Sequence, residues 1–138
     1  MIVADTGAII ALIDADDRHH EALVKLYDAD PAVWVLPWAI LPEVDYLLTR
    51  RVGDGAALAF RADLASGAFT IAWGSPEDLA RAHALCVRYA DLALGLVDAV
   101  VAAIAERLRA RAIATVDLRD FGPLMLKGSP KLFPRDQA

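Results

Sequence analysis

Residues 2–12, IVADTGAIIAL, place one aspartate between a short apolar run and an apolar helix. The run at residues 2–4 predicts a buried strand, because strands of a sheet that is covered on both faces are apolar throughout. Asp5 and Thr6 are typical helix-capping residues, and the helix that they start is predicted to extend from about residue 7 to residue 13. This stretch therefore predicts a strand, an acid at its carboxyl end, and a helix that leads away from it.

The rest of the chain repeats this alternation of apolar strands and helices. Further strands are predicted at residues 33–36, 69–73 and 112–116, with a possible edge strand at residues 132–133. Helices are predicted around residues 22–27 and at about residues 39–51, 55–65, 76–89 and 96–110, and a turn at residues 117–122. Strands that alternate with helices predict an α/β fold, in which a central, mostly parallel sheet of four or five strands is flanked by helices.

Length and composition limit the kinds of protein that this chain can be. No linker, repeat or low-complexity segment divides the 138 residues, so we expect a single domain spanning residues 1–138. Its single cysteine, Cys86, excludes an internal disulfide. No apolar run reaches the roughly 18 residues that a membrane-spanning helix needs, and the N-terminus lacks the features of a signal peptide. We therefore expect a soluble, cytoplasmic protein with no membrane partner.

The net charge of −5 argues against a protein that holds nucleic acid by bulk electrostatics, because neutralising phosphates requires a basic surface. Arginine nevertheless outnumbers lysine, and arginines cluster at residues 107, 109 and 111 and in the pair Arg50-Arg51. The arginine fork suits local, bidentate contacts to phosphate, although either cluster is also typical of a solvated helix end. A nucleic-acid substrate would therefore need metal and local arginines in place of net charge.

Four acids lie where a strand end or a helix can aim a carboxylate inward: Asp5, Glu43, Asp98 and Asp117. Asp5 and Asp117 follow apolar strands, and the carboxyl ends of parallel strands form one edge of a sheet, where ligands bind. Asp98 interrupts the run at residues 92–105, in which every other residue is apolar or glycine. Burying several carboxylates together is costly, and a divalent cation is the usual compensation. Such a site is suited to phosphodiester hydrolysis.

Each of these acids also has an ordinary interpretation. Asp5 and Asp117 are suitable caps for a helix and a turn, and Glu43 could be a surface acid of its helix. Asp91 and Asp120 are candidate auxiliary acids that could equally be loop acids. Thr6 and Thr115 flank two of the key acids, and each hydroxyl could orient a carboxylate or simply cap or pack.

Four segments together resemble the PIN-domain ribonucleases, and specifically the VapC-like toxins of prokaryotic toxin–antitoxin pairs. They are residues 2–12, the central LPEV at 41–44, the helix start LGLVDA at 94–99, and ATVDLRDF at 114–121. One such element is a weak signal, but all four in the family's order within one short chain are a strong one. The resemblance implies a PIN-like fold.

This resemblance also implies a site and its chemistry. It places Asp5, Glu43, Asp98 and Asp117 at the family's acidic active-site positions, with Asp120 as the alternative to Asp117. Asp5, Asp98 and Asp117 would hold Mg²⁺ or Mn²⁺, and Glu43 would hold or deprotonate the attacking water. The implied activity is that of an endoribonuclease toxin acting on structured RNA, such as loops of tRNA or rRNA. The implied partners are a cognate antitoxin and a second copy of the chain.

Two alternatives remain open at this point. The first is a PIN-like domain that binds without catalysis, which presence of the acids alone does not exclude. The second is a phosphoacceptor signalling domain, which would need paired acids after the first strand and a lysine near the last. The chain has Thr6 and Gly7 after Asp5, and its lysines are at residues 25, 127 and 131. These features disfavour the second alternative.

Overall fold

The computed structural model describes residues 1–137, at whose centre lies a sheet of five parallel strands. The strands are β1 (Ile2–Ala4), β2 (Trp34–Pro37), β3 (Thr70–Ala72), β4 (Ala112–Ala114) and β5 (Lys131–Phe133). They lie in the order β3-β2-β1-β4-β5, so the first strand of the chain is the central one. The prediction of an α/β fold with a mostly parallel sheet of four or five strands is confirmed.

Seven α-helices flank the sheet in the part of the chain that the structure describes. They are α1 (Thr6–Ile13), α2 (His20–Ala29), α3 (Leu41–Arg51), α4 (Asp54–Ser66), α5 (Pro76–Arg88), α6 (Leu96–Arg107) and α7 (Leu118–Phe121). Within residues 1–137, the search for a helix with the length and apolar character of a membrane span finds none.

The core is built around β1, β4 and α6. Every residue of β1 and β4 is buried, as expected for inner strands covered on both faces. Helix α6 is buried continuously from Ala99 to Ala105 and packs on α5 and on strands β1, β2 and β4. A helix that is apolar on all sides is typically a buried one. The first turn of α6 thereby carries Asp98 to the edge of the core.

The structure differs from the sequence prediction around residue 117. Strand β4 ends at Ala114, although Thr115 N still donates to Phe133 O at 2.9 Å. The segment predicted as a turn at residues 117–122 contains the short helix α7. Asp117 caps this helix, because its Oδ1 accepts from Asp120 N at 3.0 Å. The cap fixes Asp117 and Asp120 next to each other.

Helices α5 and α6 are joined by two arginine–carboxylate pairs, which we call the α5–α6 seam. Arg107 donates through Nε to Asp78 Oδ1 at 2.7 Å and through Nη2 to Oδ2 at 3.0 Å. Arg81 donates to the two oxygens of Glu106 at 2.6 and 3.0 Å. Burial raises the pKa of Asp78 and of Glu106, but hydrogen bonds from the arginines and from backbone N–H groups, together with the arginine charges, hold both below their usual values. The seam acids are therefore ionised and neutralised in place.

Candidate active site

Asp5 lies at the carboxyl end of β1 and is 3% exposed. Its Oδ1 accepts from Thr6 N at 2.7 Å, which makes it the cap of α1, and its Oδ2 accepts from Thr115 Oγ1 at 3.0 Å. Burial raises the pKa of Asp5 to about 6, against the lowering effect of these two hydrogen bonds, and the charges of Asp117 and Glu43 raise it further. Asp5 is thus both a cap and a member of an acidic group.

The hydroxyl of Thr115 links two of the predicted site acids. It donates to Asp5 Oδ2 and accepts from Asp117 N at 3.0 Å. Thr115 is 1% exposed, so this hydroxyl is shielded from exchange with bulk water. Of the two roles that the sequence allowed for Thr115, the structure shows the orienting one. One side chain thereby fixes the ends of β1 and β4 relative to each other.

Asp98 lies in the first turn of α6, half-buried against the other acids. Burial raises the pKa of Asp98 to about 8, and the charge of Asp5 and a hydrogen-bonding contact with Asp120 act in the same direction. One carboxylate oxygen from each of Asp98, Asp117 and Asp120 lies within 4.8 Å of the other two. The structure therefore brings both candidates for the fourth acid, Asp117 and Asp120, next to Asp98.

An open cavity of about 450 Å³ lies over these carboxylates, and we call it the acidic cavity. The four acids predicted from the sequence all line it, with Glu43 supplied by the first turn of α3. Its lining consists of Asp5, Thr6, Gly7, Ile10, Glu43, Leu47, Arg51, Gly95, Leu96, Val97, Asp98 and Asp117. The acids thus share one solvent-accessible space.

The chemistry of this donor set fits a divalent cation. Asp5, Asp98 and Asp117 offer only carboxylate oxygens, which are the ligands that Mg²⁺ and Mn²⁺ prefer. Among residues 1–137, no arginine or lysine forms an ion pair with any acid of the cavity or with Asp120. The pKa of Asp5 and of Asp98 is raised because burial and neighbouring negative charge are not compensated within the protein. A cation would supply that compensation.

Sequence reasoning did not identify the walls of the cavity. Leu47 and Arg51 follow Glu43 at intervals of four residues, so the three share one face of α3 and line the cavity together. That four-residue spacing is the feature of the sequence from which Leu47 and Arg51 could have been identified. Of the arginines singled out from the sequence, Arg107 is held by Asp78, and Arg111 N donates to Met1 O at the amino edge of the sheet, away from the site.

Most of this chain matches a known protein family. The family model described as PIN domain matches residues 2–122. The chain is 33% identical over 123 residues to Ribonuclease VapC26 of Mycobacterium tuberculosis strain ATCC 25618 / H37Rv. The aligned region covers 89% of this chain and 91% of that protein.

Two solved structures extend the comparison to the fold. The crystal structure of Mycobacterium tuberculosis VapC20, described as a Sarcin-Ricin loop cleaving toxin, has a TM-score of 0.79 and 25% identity, covering 91% of this chain and 97% of that one. A toxin-antitoxin complex from Klebsiella pneumoniae has a TM-score of 0.70 and 22% identity, covering 90% and 92%, and shows likeness of fold alone. Because the family match spans residues 2–122 and so includes every acid of the site, the chain belongs to the PIN-domain family.

Proposed function

We propose that this chain is a metal-dependent endoribonuclease toxin that hydrolyses phosphodiester bonds in structured RNA, such as loops of tRNA or rRNA. The observation that carries the proposal is the group of crowded, uncompensated carboxylates in an open cavity at the carboxyl edge of the sheet. The similarity to Ribonuclease VapC26 supports RNA as the substrate class. The name of VapC20 supports a toxin that cuts a loop of structured RNA.

Asp5, Asp98 and Asp117 are the proposed metal-holding residues, with Asp120 adjoining them. A bound Mg²⁺ or Mn²⁺ would lower the pKa of water and offset negative charge on the scissile phosphate. Thr115 and the backbone N–H of Thr6 keep the carboxylate of Asp5 in one orientation. A ligand that is already oriented loses less conformational freedom on binding, so these two contacts prepare the site.

Glu43 is the proposed catalytic base. It lines the acidic cavity from α3 and is therefore supplied by a different element from the other acids. In the proposed reaction a water oxygen bonds to phosphorus and gives up a proton to Glu43. The bond from phosphorus to the leaving sugar oxygen breaks, and that oxygen takes a proton from solvent. Glu43 must be ionised for this role.

The proposal includes the setting of the activity. We propose one domain across residues 1–138, a cytoplasmic location, a cognate antitoxin that blocks the site, and a homodimer. The shared fold with the toxin-antitoxin complex from Klebsiella pneumoniae supports the antitoxin. Co-expression with an antitoxin encoded beside the gene should yield a stable complex that lacks ribonuclease activity, and sedimentation of the free chain should give twice the monomer mass.

The decisive experiment is incubation of antitoxin-free protein with total bacterial RNA in Mg²⁺, in Mn²⁺ and in EDTA. We expect discrete fragments with metal, none with EDTA and none with Asp98→Asn. Asp45→Asn is the matched control, because Asp45 lies on α3 and is paired with Arg61 outside the cavity. Intact RNA in the presence of folded, metal-loaded protein would instead favour a PIN-like module that binds without cutting.

A further inference from the structure

The negative charge of the acidic cavity is unfavourable for binding RNA. The chain carries a net charge of −5, and the carboxylates that line the cavity repel a phosphate backbone. Asp5, Asp98 and Asp117 would hold a metal at the scissile phosphate, so a cation of the protein would favour binding of the neighbouring phosphates. Few of the eleven arginines are free to act as that cation.

Most arginines are already engaged with other side chains. Four form ion pairs with carboxylates, at residues 61, 81, 107 and 135. Three others stack on aromatic rings, at residues 50, 88 and 111. Arg18 donates to the ring of His19. Among the described residues this leaves Arg51, Arg109 and Arg119 without such a contact, and only Arg51 lines the acidic cavity.

Arg51 lies in the last turn of α3, on the face that also carries Glu43 and Leu47. Arg51 follows Glu43 by eight positions in the helix, which corresponds to about 12 Å along the axis. Arg51 is solvent-exposed, and within residues 1–137 no carboxylate lies in ion-pairing distance of it. It therefore offers a whole guanidinium group at the wall of the acidic cavity.

We propose that Arg51 binds a phosphate of the RNA strand beside the scissile one and so sets the path of the strand across the acidic cavity. This inference rests on the proposed ribonuclease function. The separation of about 12 Å along α3 between Glu43 and Arg51 favours contact with a phosphate beside the one under attack. Leu47, between the two, presents an apolar wall over which the intervening sugar and base can lie.

The chemistry of arginine suits this role. Its planar fork donates two parallel hydrogen bonds to phosphate oxygens, which fixes orientation as well as providing charge. Contacts to phosphate position a nucleic acid without reading its sequence. Arg51 is thus a positioning residue for the substrate, and the choice of target belongs to other parts of the surface. A purely structural role, stabilising the carboxyl end of α3, would leave RNA binding unchanged.

The test compares Arg51→Gln with Arg50→Gln. Both variants remove one exposed cation from the same helix end, but Arg50 lies over the ring of Tyr46 and outside the cavity. Cleavage kinetics are measured between about 50 and 200 mM salt on a synthetic RNA copied from the site cut in total bacterial RNA. Binding of a labelled single-stranded oligoribonucleotide of random sequence is measured in parallel by fluorescence anisotropy, in EDTA. Thermal melting confirms that both variants are folded.

We expect Arg51→Gln to raise KM about tenfold with kcat within about twofold, because a contact that is kept in ground and transition states is lost. The slope of log(kcat/KM) against log salt should fall by about 0.7, the share of one phosphate on a single strand. Arg50→Gln should match wild type in KM, in kcat and in the salt slope. Arg51→Lys should restore the salt slope but only part of the affinity, because lysine lacks the fork.

Two results would overturn the inference, and they are distinguishable. If wild type cuts RNA but Arg51→Gln and Arg50→Gln share the same KM and salt slope, Arg51 has no role in binding and the ribonuclease function stands. If folded wild type neither cuts the RNA nor binds the oligoribonucleotide, the proposed function fails and this inference fails with it.

Discussion

At the α5–α6 seam each acid lies against an arginine, whereas in the acidic cavity the acids lie against one another. Burial raises the pKa of Asp78, but hydrogen bonds from Arg107 and Ser75 N, with the charge of Arg107, hold it below its usual value. Burial without a cation raises the pKa of Asp98 to about 8. The same residue type is thus treated in opposite ways within one small protein.

The difference separates carboxylates that stabilise the fold from carboxylates that the fold holds ready. A buried acid without a cation opposes folding, and native structures keep such groups mainly at functional sites. The α5–α6 seam shows that this chain has the means to neutralise buried acids with arginine. Within residues 1–137, no arginine pairs with an acid of the acidic cavity. This difference favours a functional role for the cavity acids.

The largest effect should come from removing one cavity acid. Asp98→Asn should lower the rate of RNA cleavage by at least about a hundredfold, because loss of a metal-holding group exceeds the usual effect of its supporting contacts. Asp45→Asn should stay near wild type, since Asp45 pairs with Arg61 outside the cavity. Initial rates at saturating Mg²⁺ measure both. Equal losses in the two variants would remove the distinction between cavity acids and other acids.

Metal should stabilise the cavity acids and leave the seam unaffected. At a free concentration one hundred times Kd, Mg²⁺ or Mn²⁺ should add about 2.7 kcal/mol to the free energy of unfolding. That corresponds to a rise in Tm of about 8 °C for a domain of this size. Scanning calorimetry with and without EDTA measures the shift, which Asp98→Asn should greatly reduce. A wild-type Tm that responds to neither ion contradicts the shared metal site.

Removing one arginine from the α5–α6 seam should convert a paired acid into an uncompensated one. Arg107→Met leaves Asp78, whose side chain is 3% exposed, without its cation. We expect a loss of about 2 kcal/mol in unfolding free energy, less than for a fully buried pair because the side chain of Arg107 is 38% exposed.

The matched control for the seam is Arg61→Met, which breaks the pair with Asp45. The side chains there are 53% and 34% exposed, so the expected loss is much smaller than for Arg107→Met. Urea unfolding monitored by circular dichroism compares the two variants. Equal stabilities for Arg107→Met and Arg61→Met would show that burial of Asp78 is not what the pair compensates.

The smallest effect concerns pH in the metal-free protein. The pKa of Asp5 is raised to about 6 and that of Asp98 to about 8, so the folded chain binds more protons than the unfolded chain above about pH 4. Unfolding free energy should therefore fall as pH rises through these values. The lowered pKa of Asp78 has the opposite sign, and its contribution is lost only when pH falls below about 4.

Thermal melting in EDTA between pH 5 and pH 8 tests this sign. Asp98→Asn should flatten the decline seen in wild type and be more stable than wild type at pH 8. The histidines are the same in both proteins, so the difference isolates Asp98. A variant that melts below wild type at pH 8 would contradict the crowding of the cavity acids.

Local sequence pattern was sufficient to predict the strands, most helices and the shared position of the four acids. Asp5, Glu43, Asp98 and Asp117 do line one cavity, because strand ends and helix starts determine the edge of a parallel sheet. Pattern was insufficient at Asp117 and Asp120, since the cap that forms α7 places both beside Asp98. The catalytic roles of these acids stay a prediction.

Contacts between residues distant in sequence could not be predicted. Arg107 appeared as one of three clustered arginines, and nothing near it indicated Asp78, which lies 29 residues earlier. Arg50 and Arg51 are neighbouring residues of the same type, and the sequence does not distinguish them. In the structure only Arg51 lies on the face of α3 that lines the cavity, whereas Arg50 lies over the ring of Tyr46. The order β3-β2-β1-β4-β5 likewise depends on pairing between strands far apart in the chain.

The hydrogen bond from Thr115 to Asp5 has a consequence for the timing of synthesis. Its two residues are 110 positions apart, and β1 pairs with β4 only across a similar separation. A growing chain therefore carries Asp5 from the start but cannot complete its surroundings until β4 has left the ribosome. The proposed site can therefore form only after most of the chain has been synthesised.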